Sequence, residues 1–287
     1  MTKNETADFS IDDIVPLLQM AIEEDVGTGD ATTLSLIPED TLATAYFTTR
    51  QDCVCCGLPV VTKLFSMLDS YVEVIPQVHD GDLCLKGARL ATVKGPARAI
   101  LTGERTALNF LQRLSGVATI TRRYVDALGK SETKLLDTRK TTPGYRTLEK
   151  YAVRMGGGCN HRMGLYDRVM IKDNHRELAK IYGDDSIEVS IRLAKEAYPD
   201  LLVEVEADSL EDVRHAVVGK ADIILLDNMT NKEMTEAIRL IGGTAKTEAS
   251  GGITLERLPS LGRLGLDFIS VGALTHSAPS IDIALDM

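Results

Sequence analysis

No run of this 287-residue sequence is apolar for the roughly 20 residues that a membrane-spanning helix needs, so no transmembrane segment is expected. The opening MTKNETADFSIDD has no apolar core flanked by basic residues, which gives no expectation of a secretory leader. Positive charge is in deficit: 32 Lys and Arg face 42 Asp and Glu, a net of −10. Phosphate backbones and anionic lipid select Lys- and Arg-rich faces, so neither nucleic acid nor a membrane surface is an expected partner. Cysteine is sparse and odd in number, at five. That fits reduced thiols in a cytoplasmic protein better than a disulfide framework. Cys53-Val54-Cys55-Cys56 contains a C-x-x-C, but Cys84 and Cys159 stand alone and supply no second pair at zinc spacing. These thiols read as buried structural residues.

Length allows one large domain or two modest ones, and the apolar and charged fractions are ordinary for a globular chain. Ser10 and Asp13 can cap a helix that carries Ile11, Ile14, Leu18, Ala21 and Ile22 on one face and ends before Asp25. Gly27-Thr28-Gly29 lacks a third glycine, a preceding strand and a following helix, so it reads as a turn and not as a dinucleotide loop. Short β-like pieces follow at Ala43–Thr49, Val72–Ile75 and Leu90–Val93, with a helix at Leu58–Leu68. Gly95-Pro96 opens a long helix, expected over Ala97–Ser115, in which Arg105 reads as a solvated surface residue. Gly116 marks the expected junction between domains 1–116 and 117–287.

Beyond it, apolar runs alternate regularly with helical patterns. Strands are expected at Leu135–Asp137, Val169–Lys172, Leu202–Glu206, Ile223–Asp227, Lys246–Ser250 and Phe268–Gly272. Helices are expected at Tyr145–Met155, Ser186–Ala197, Ser209–Val218, Asn231–Ile241 and Thr254–Leu261. Such alternation implies an α/β protein with a parallel sheet covered by helices. Most strands end in a polar residue (Asp137, Lys172, Glu206, Asp227, Ser250), and a barrel brings all its strand ends to one mouth. The expected architecture is an incomplete β/α barrel, six-stranded or closed by a weaker seventh strand.

The chemistry concentrates between Asp137 and Arg176, where nine Lys and Arg stand against four acids, a local +5 that leaves −15 for the rest. A small, multiply negative ligand suits such an island. Arg139-Lys140-Thr141 leaves the first strand, His161-Arg162 follows a triple glycine, and Lys172 ends the next strand. Arg forks match carboxylates, whereas Lys acts as a mobile point charge. For Arg146, Lys150, Arg154, Arg168 and Arg176, on helix or loop faces, surface ion pairs are expected. Ser250-Gly251-Gly252 ahead of a helix at Thr254, and Gly272 after the next strand, fit a phosphate cradle. Glu206 and Asp227 end neighbouring strands and suit Mg²⁺ or ribose hydroxyls.

The run DTRKTTPGYRTLEKYAVRMGGGCNHRMGLYDRVMIKDNH resembles the signature of the quinolinate phosphoribosyltransferases, also called nicotinate-nucleotide pyrophosphorylases (carboxylating). EEDVGTGDATT, GERTALNFLQRLSG, VEVEADSLEDV, ILLDNM, EASGGI and ISVGALTHSAPSIDIALDM extend the resemblance over nearly the whole chain. It departs from the usual form at Tyr166–Met170, in side chains placed outside the site. The resemblance implies an N-terminal α/β sandwich before the incomplete barrel. It also implies phosphoribosyl transfer from 5-phosphoribosyl 1-diphosphate to quinolinate with decarboxylation, a Mg²⁺ requirement, and a homodimer with shared sites. Arg139, Arg162 and Lys172 would then hold the quinolinate carboxylates and Arg105 would reach in from the neighbouring subunit. Lys140 would contact the diphosphate, and Thr141 and His161 would line the site. Glu206 and Asp227 would bind ribose or Mg²⁺, and Ser250, Gly251, Gly252 and Gly272 the 5-phosphate. The competing readings are a Schiff-base lyase or aldolase acting through Lys172, and a non-catalytic anion-binding paralogue.

Overall fold

Helix and strand follow one another in the order that the hydrophobic pattern sets, from a 3₁₀ turn at Ile11–Ile14 into α1 (Val15–Val26), α2 (Ala31–Leu36), β1 (Leu42–Thr49), β2 (Cys53–Val54), α3 (Leu58–Leu68), β3 (Glu73–Pro76), β4 (Leu83–Cys84), β5 (Arg89–Pro96) and α4 (Ala97–Leu128). After them come β6 (Lys134–Leu136), α5 (Arg146–Met155), β7 (Val169–Ile171), α6 (Asp173–Ala179), α7 (Ile187–Ala197), β8 (Val203–Ala207) and α8 (Leu210–Val218). β9 (Ile223–Asp227), α9 (Asn231–Ile241), β10 (Lys246–Ser250), α10 (Leu258–Leu261), β11 (Phe268–Ser270), α11 (Ala273–His276) and β12 (Ile283–Asp286) complete the chain. The structure is a computed structural model that describes residues 10–179 and 186–287. Residues 1–9, most of the stretch read for a leader, lie outside the described residues. Two compact units are present: one takes in residues 10–122, 141–157 and 274–287, the other 123–140, 158–179 and 186–273.

In the first unit an antiparallel sheet has the order β12-β1-β5-β3. Leu58, Val61, Leu64 and Phe65 recur at helical spacing along α3 and are buried, with Phe47 of β1 stacked obliquely near Phe65. Asp80 supplies the cap that α3 lacks locally, accepting hydrogen bonds from the Gly57 and Leu58 N–H groups (2.7 and 3.1 Å) and from the Tyr151 hydroxyl (2.7 Å). β12 was not foreseen, because four residues at the chain end give too short a pattern to read. Two expectations near the start are corrected. α1 runs through Asp25 to Val26, and a helix does follow the Gly-x-Gly, since the Asp30 carboxylate caps α2 at the Thr33 N–H. Cys53, Cys55, Cys56 and Cys84 are buried and Cys159 half-buried, all as free thiols, as expected.

α4 does not stop at Ser115 but continues to Leu128. Gly116 is there for close approach and not for a helix end, since a Cβ on it would lie 2.1 Å from the Pro279 carbonyl oxygen. Gly116→Ala is therefore expected to cost about 2–3 kcal/mol through forced repacking. Urea unfolding checks this, and a Gly116→Ala midpoint equal to that of the unaltered chain contradicts it.

The second unit holds a six-stranded parallel sheet in the order β6-β11-β10-β9-β8-β7. This is ring order with one opening: successive strands pair, the last pairs with the first, and the gap falls between β6 and β7. An isolated parallel bridge joins Leu136 to Cys159 and marks the weaker seventh position. The expected incomplete barrel is thus present. The helix expected at Thr254 begins only at Leu258. Among the described residues no helix is long and apolar enough to cross a membrane.

Candidate active site

Successive side chains of a strand point to opposite faces, so Glu204 and Glu206 of β8 share a face, as do Leu225 and Asp227 of β9 and Glu248 and Ser250 of β10. Register aligns Glu206, Leu225 and Glu248 in one row and Asp227 with Ser250 in the next. The strand ends therefore carry an acidic group, and a second carboxylate layer lies deeper.

At the ends, Glu206, Asp208 and Asp227 place carboxylate oxygens within 4.8 Å of one another. Lys172 Nζ stands 3.1 Å from Glu206 Oε2, at an angle that leaves this buried oxygen without a hydrogen bond. Burial raises the Asp227 pKa above the ordinary carboxylate value and Asp208 adds to the rise, while Lys172 and Lys140 oppose it. Three oxygen donors around an unsatisfied oxygen are a set that could hold a hard divalent cation.

The cationic part rests on the loop between β6 and β7. Asp137, fully buried, accepts hydrogen bonds from the His161 N–H (2.9 Å) and Asn160 Nδ2 (2.6 Å). Asp167 accepts from the Met163 and Gly164 N–H groups (2.6 and 3.1 Å) and so fixes the next turn. His161 Nδ1 accepts the Arg162 N–H at 2.7 Å, which places the neutral ring's proton on Nε2. That Nε2 lies 3.2 Å from Glu204 Oε2 and 3.5 Å from Glu248 Oε1. Arg162 is buried, and its Nη1 donates to the Arg168 carbonyl at 3.0 Å. Burial and then the nearby Arg139 push its pKa below the usual guanidinium value. Arg139 itself has a buried Nε without a partner. Two guanidinium groups held together against their own repulsion form a receptor for an anion.

Of the residues singled out in the sequence, Arg139, Lys140, His161, Arg162, Lys172, Glu206, Asp227, Ser250, Gly251, Gly252 and Gly272 belong to this unit. Arg105, exposed on α4, and Thr141, whose Oγ1 accepts from Arg146 Nε at 3.0 Å, belong to the first. Gly251 adopts φ +80°, and a Cβ there would lie 2.1 Å from Asn228 Oδ1, so the close approach requires glycine. The helix terminus expected to support this cradle is absent at Thr254, because residues 251–257 form a longer loop.

Several basic residues read as surface pairs are corrected. Arg168 Nη1 binds the fully buried Glu204 at 3.1 Å, and its carbonyl and Met170 Sδ flank the Arg162 guanidinium, so the Tyr166–Met170 segment shapes the site after all. Lys150 is buried, Arg154 is half-buried, and Arg176 makes a partly buried pair with Asp212 at 3.1 Å. Asp208, Glu204, Glu248 and Asn228 were missed. The alternation Glu204-Val205-Glu206-Ala207-Asp208 was the signal for Glu204 and Asp208, since a strand of a parallel sheet normally reads as continuously apolar.

Residues 30–115 match the quinolinate phosphoribosyl transferase N-terminal domain and residues 117–286 the C-terminal domain of that family. The chain belongs to the quinolinate phosphoribosyl transferase family. A relative of that family from Bacillus subtilis, named probable nicotinate-nucleotide pyrophosphorylase (carboxylating), is 44% identical over 272 residues, covering 94% of this chain and 92% of the relative. The Mycobacterium leprae nicotinate-nucleotide pyrophosphorylase (carboxylating) is 39% identical over 289 residues and covers 98% and 99%. Among solved structures, the Francisella tularensis nicotinate-nucleotide pyrophosphorylase superposes with a TM-score of 0.92 at 37% identity, over 99% of both chains.

Proposed function

We propose that this chain transfers the phosphoribosyl group of 5-phosphoribosyl 1-diphosphate to the ring nitrogen of quinolinate, releasing pyrophosphate and CO₂ and giving nicotinate mononucleotide. The observation that carries the reading is the Arg139–Arg162 pair, whose mutual repulsion is relieved by a dianion. Quinolinate offers two adjacent carboxylates, matched to two guanidinium forks with Lys172 and His161 beside them.

Positioning of the pyridine nitrogen by this clamp supplies orientation. As the diphosphate departs, positive charge grows on the ribosyl ring, and the carboxylates of Glu206 and Asp227 lie where they can stabilise it. Lys140 takes the charge of the leaving diphosphate. Glu206 and Asp227, with Asp208, would hold Mg²⁺, which supplies charge neutralisation on the diphosphate oxygens when bound. Ser250, Gly251, Gly252 and Gly272 take the 5-phosphate through backbone N–H groups and one hydroxyl. Once the ring is a pyridinium, the electron pair left on the carbon beside the nitrogen as CO₂ departs is stabilised by the adjacent positive nitrogen, and that carbon then takes a proton from water. Arg105 completes each site from the other subunit of a homodimer, Thr141 lines it, and the protein works in the cytoplasm. Lys172 as a Schiff-base nucleophile is less well supported, because its Nζ is engaged with Glu206 and such chemistry needs a free amine.

Pyrophosphate release that depends on added quinolinate, with no substrate trapped on Lys172 by borohydride, supports transfer. Release that ignores quinolinate, or a trapped adduct, overturns it. Lys140→Ala is expected to lower kcat by about 100-fold or more while leaving quinolinate affinity within threefold, as seen in calorimetric titration. A matching loss of quinolinate affinity contradicts the role given to Lys140.

A further inference from the structure

The second carboxylate layer takes no part in the reaction as described, yet its contacts form a closed circuit through the quinolinate clamp. Glu204 Oε2 stands between His161 Nε2 (3.2 Å) and Arg168 Nη1 (3.1 Å). The Arg168 carbonyl takes Arg162 Nη1 (3.0 Å), and the Arg162 N–H returns to His161 Nδ1 (2.7 Å). Glu248 Oε1 approaches the same His161 Nε2 from β10 at 3.5 Å, and this carboxyl is fully buried. Resting on the function proposed above, we propose that Glu248 and Glu204 are a buried positioning pair that fixes His161 and Arg162 for the dicarboxylate substrate.

The alternative use of His161, Glu204 and Glu248, whose donor atoms also fall within 4.8 Å, is a buried metal site. The tautomer argues against it: Nδ1 already accepts a backbone N–H, so Nε2 carries the proton and has no lone pair for a cation. Charge then decides how two carboxyls share the space. Burial first and Glu204 second raise the Glu248 pKa to about 7, against the opposing pull of His161, Ser270 and Arg168. Glu204 Oε2 sits against both the Arg168 guanidinium (3.1 Å) and His161 Nε2 (3.2 Å), the contacts of an ionised carboxylate. Glu204 is therefore the anion that binds Arg168 and receives the His161 proton. Glu248, whose ionisation burial and the Glu204 charge both oppose, fills the other side of the imidazole without drawing Arg168 away. A second full charge there would compete for both and open the circuit.

The role is one of position, so it separates from general stability by its kinetic pattern. Glu248→Met, which keeps the volume but removes the carboxyl, is expected to raise the quinolinate KM about 10- to 100-fold while the 5-phosphoribosyl 1-diphosphate KM stays within threefold. Glu248→Gln, which imitates the neutral acid, is expected to recover most of that loss. Equal changes in both KM values, or a Gln variant as impaired as the Met variant, overturn the inference. Equilibrium titration of quinolinate into the same proteins keeps the two proposals apart. An unaltered chain that does not bind quinolinate defeats the proposed function, whereas normal binding by both variants defeats only the positioning pair.

Discussion

Arg162→Ala is expected to lower kcat/KM for quinolinate by about a thousandfold. Two charge-assisted hydrogen bonds from one guanidinium to a carboxylate contribute on the order of 4 kcal/mol, and each 1.4 kcal/mol is a factor of ten. The loss is expected in binding of quinolinate because Arg162 is buried and donates one N–H to the Arg168 carbonyl and one to Met170 Sδ, so that its other donors can serve the ligand. Arg162→Lys is expected to recover little, since an ammonium cannot reproduce the planar fork. Thermal stability should fall far less than activity: burial and Arg139 already work against the charged form, so truncation removes a repulsion together with a hydrogen bond. Steady-state kinetics with each substrate varied in turn check the assignment. A quinolinate KM unchanged by Arg162→Ala rules out the clamp.

The second large effect concerns the proposed homodimer. Arg105 lies exposed on α4 in the first unit, and Arg139 in the second. If each site takes Arg139 from one subunit and Arg105 from the other, Arg105→Ala and Arg139→Ala homodimers are each expected to be inactive. Equal amounts unfolded and refolded together give half hybrids by random pairing, and each hybrid has one intact site of two, so about one quarter of full activity returns. Hybrids shown to form by mass but without recovered activity contradict a shared site.

Much of this was legible before any coordinates. The alternation of apolar strand and amphipathic helix after Gly116 specified a parallel sheet covered by helices, because parallel strands are buried on both faces and their helices on one, and the polar strand ends then pointed to a barrel. Strand-end positions such as Glu206, Asp227 and Ser250 were readable for the same reason, since a barrel exposes its strand ends at one mouth. What stayed hidden depended on neighbours distant in sequence. Arg168 looks like any loop arginine until β8 brings Glu204 to it, and Glu248 looks like a strand-edge acid until its burial is known. That α4 runs on through Gly116 stayed hidden too, because glycine is a poor helix former and the Pro279 carbonyl that excludes any side chain there lies far along the chain. Lys150 and Arg154 were misread because a basic residue on a helix is usually solvated, whereas no residue of α5 is exposed.

The central claim is that one site joins a pyridine dicarboxylate to a phosphoribosyl donor and then decarboxylates it. The direct measurement incubates the purified chain with Mg²⁺, 5-phosphoribosyl 1-diphosphate and quinolinate labelled in the carboxylate beside the ring nitrogen. Nicotinate mononucleotide, pyrophosphate and labelled CO₂ are expected in equal amounts. Folded protein that yields no nicotinate mononucleotide, or that releases pyrophosphate or CO₂ without it, contradicts the account.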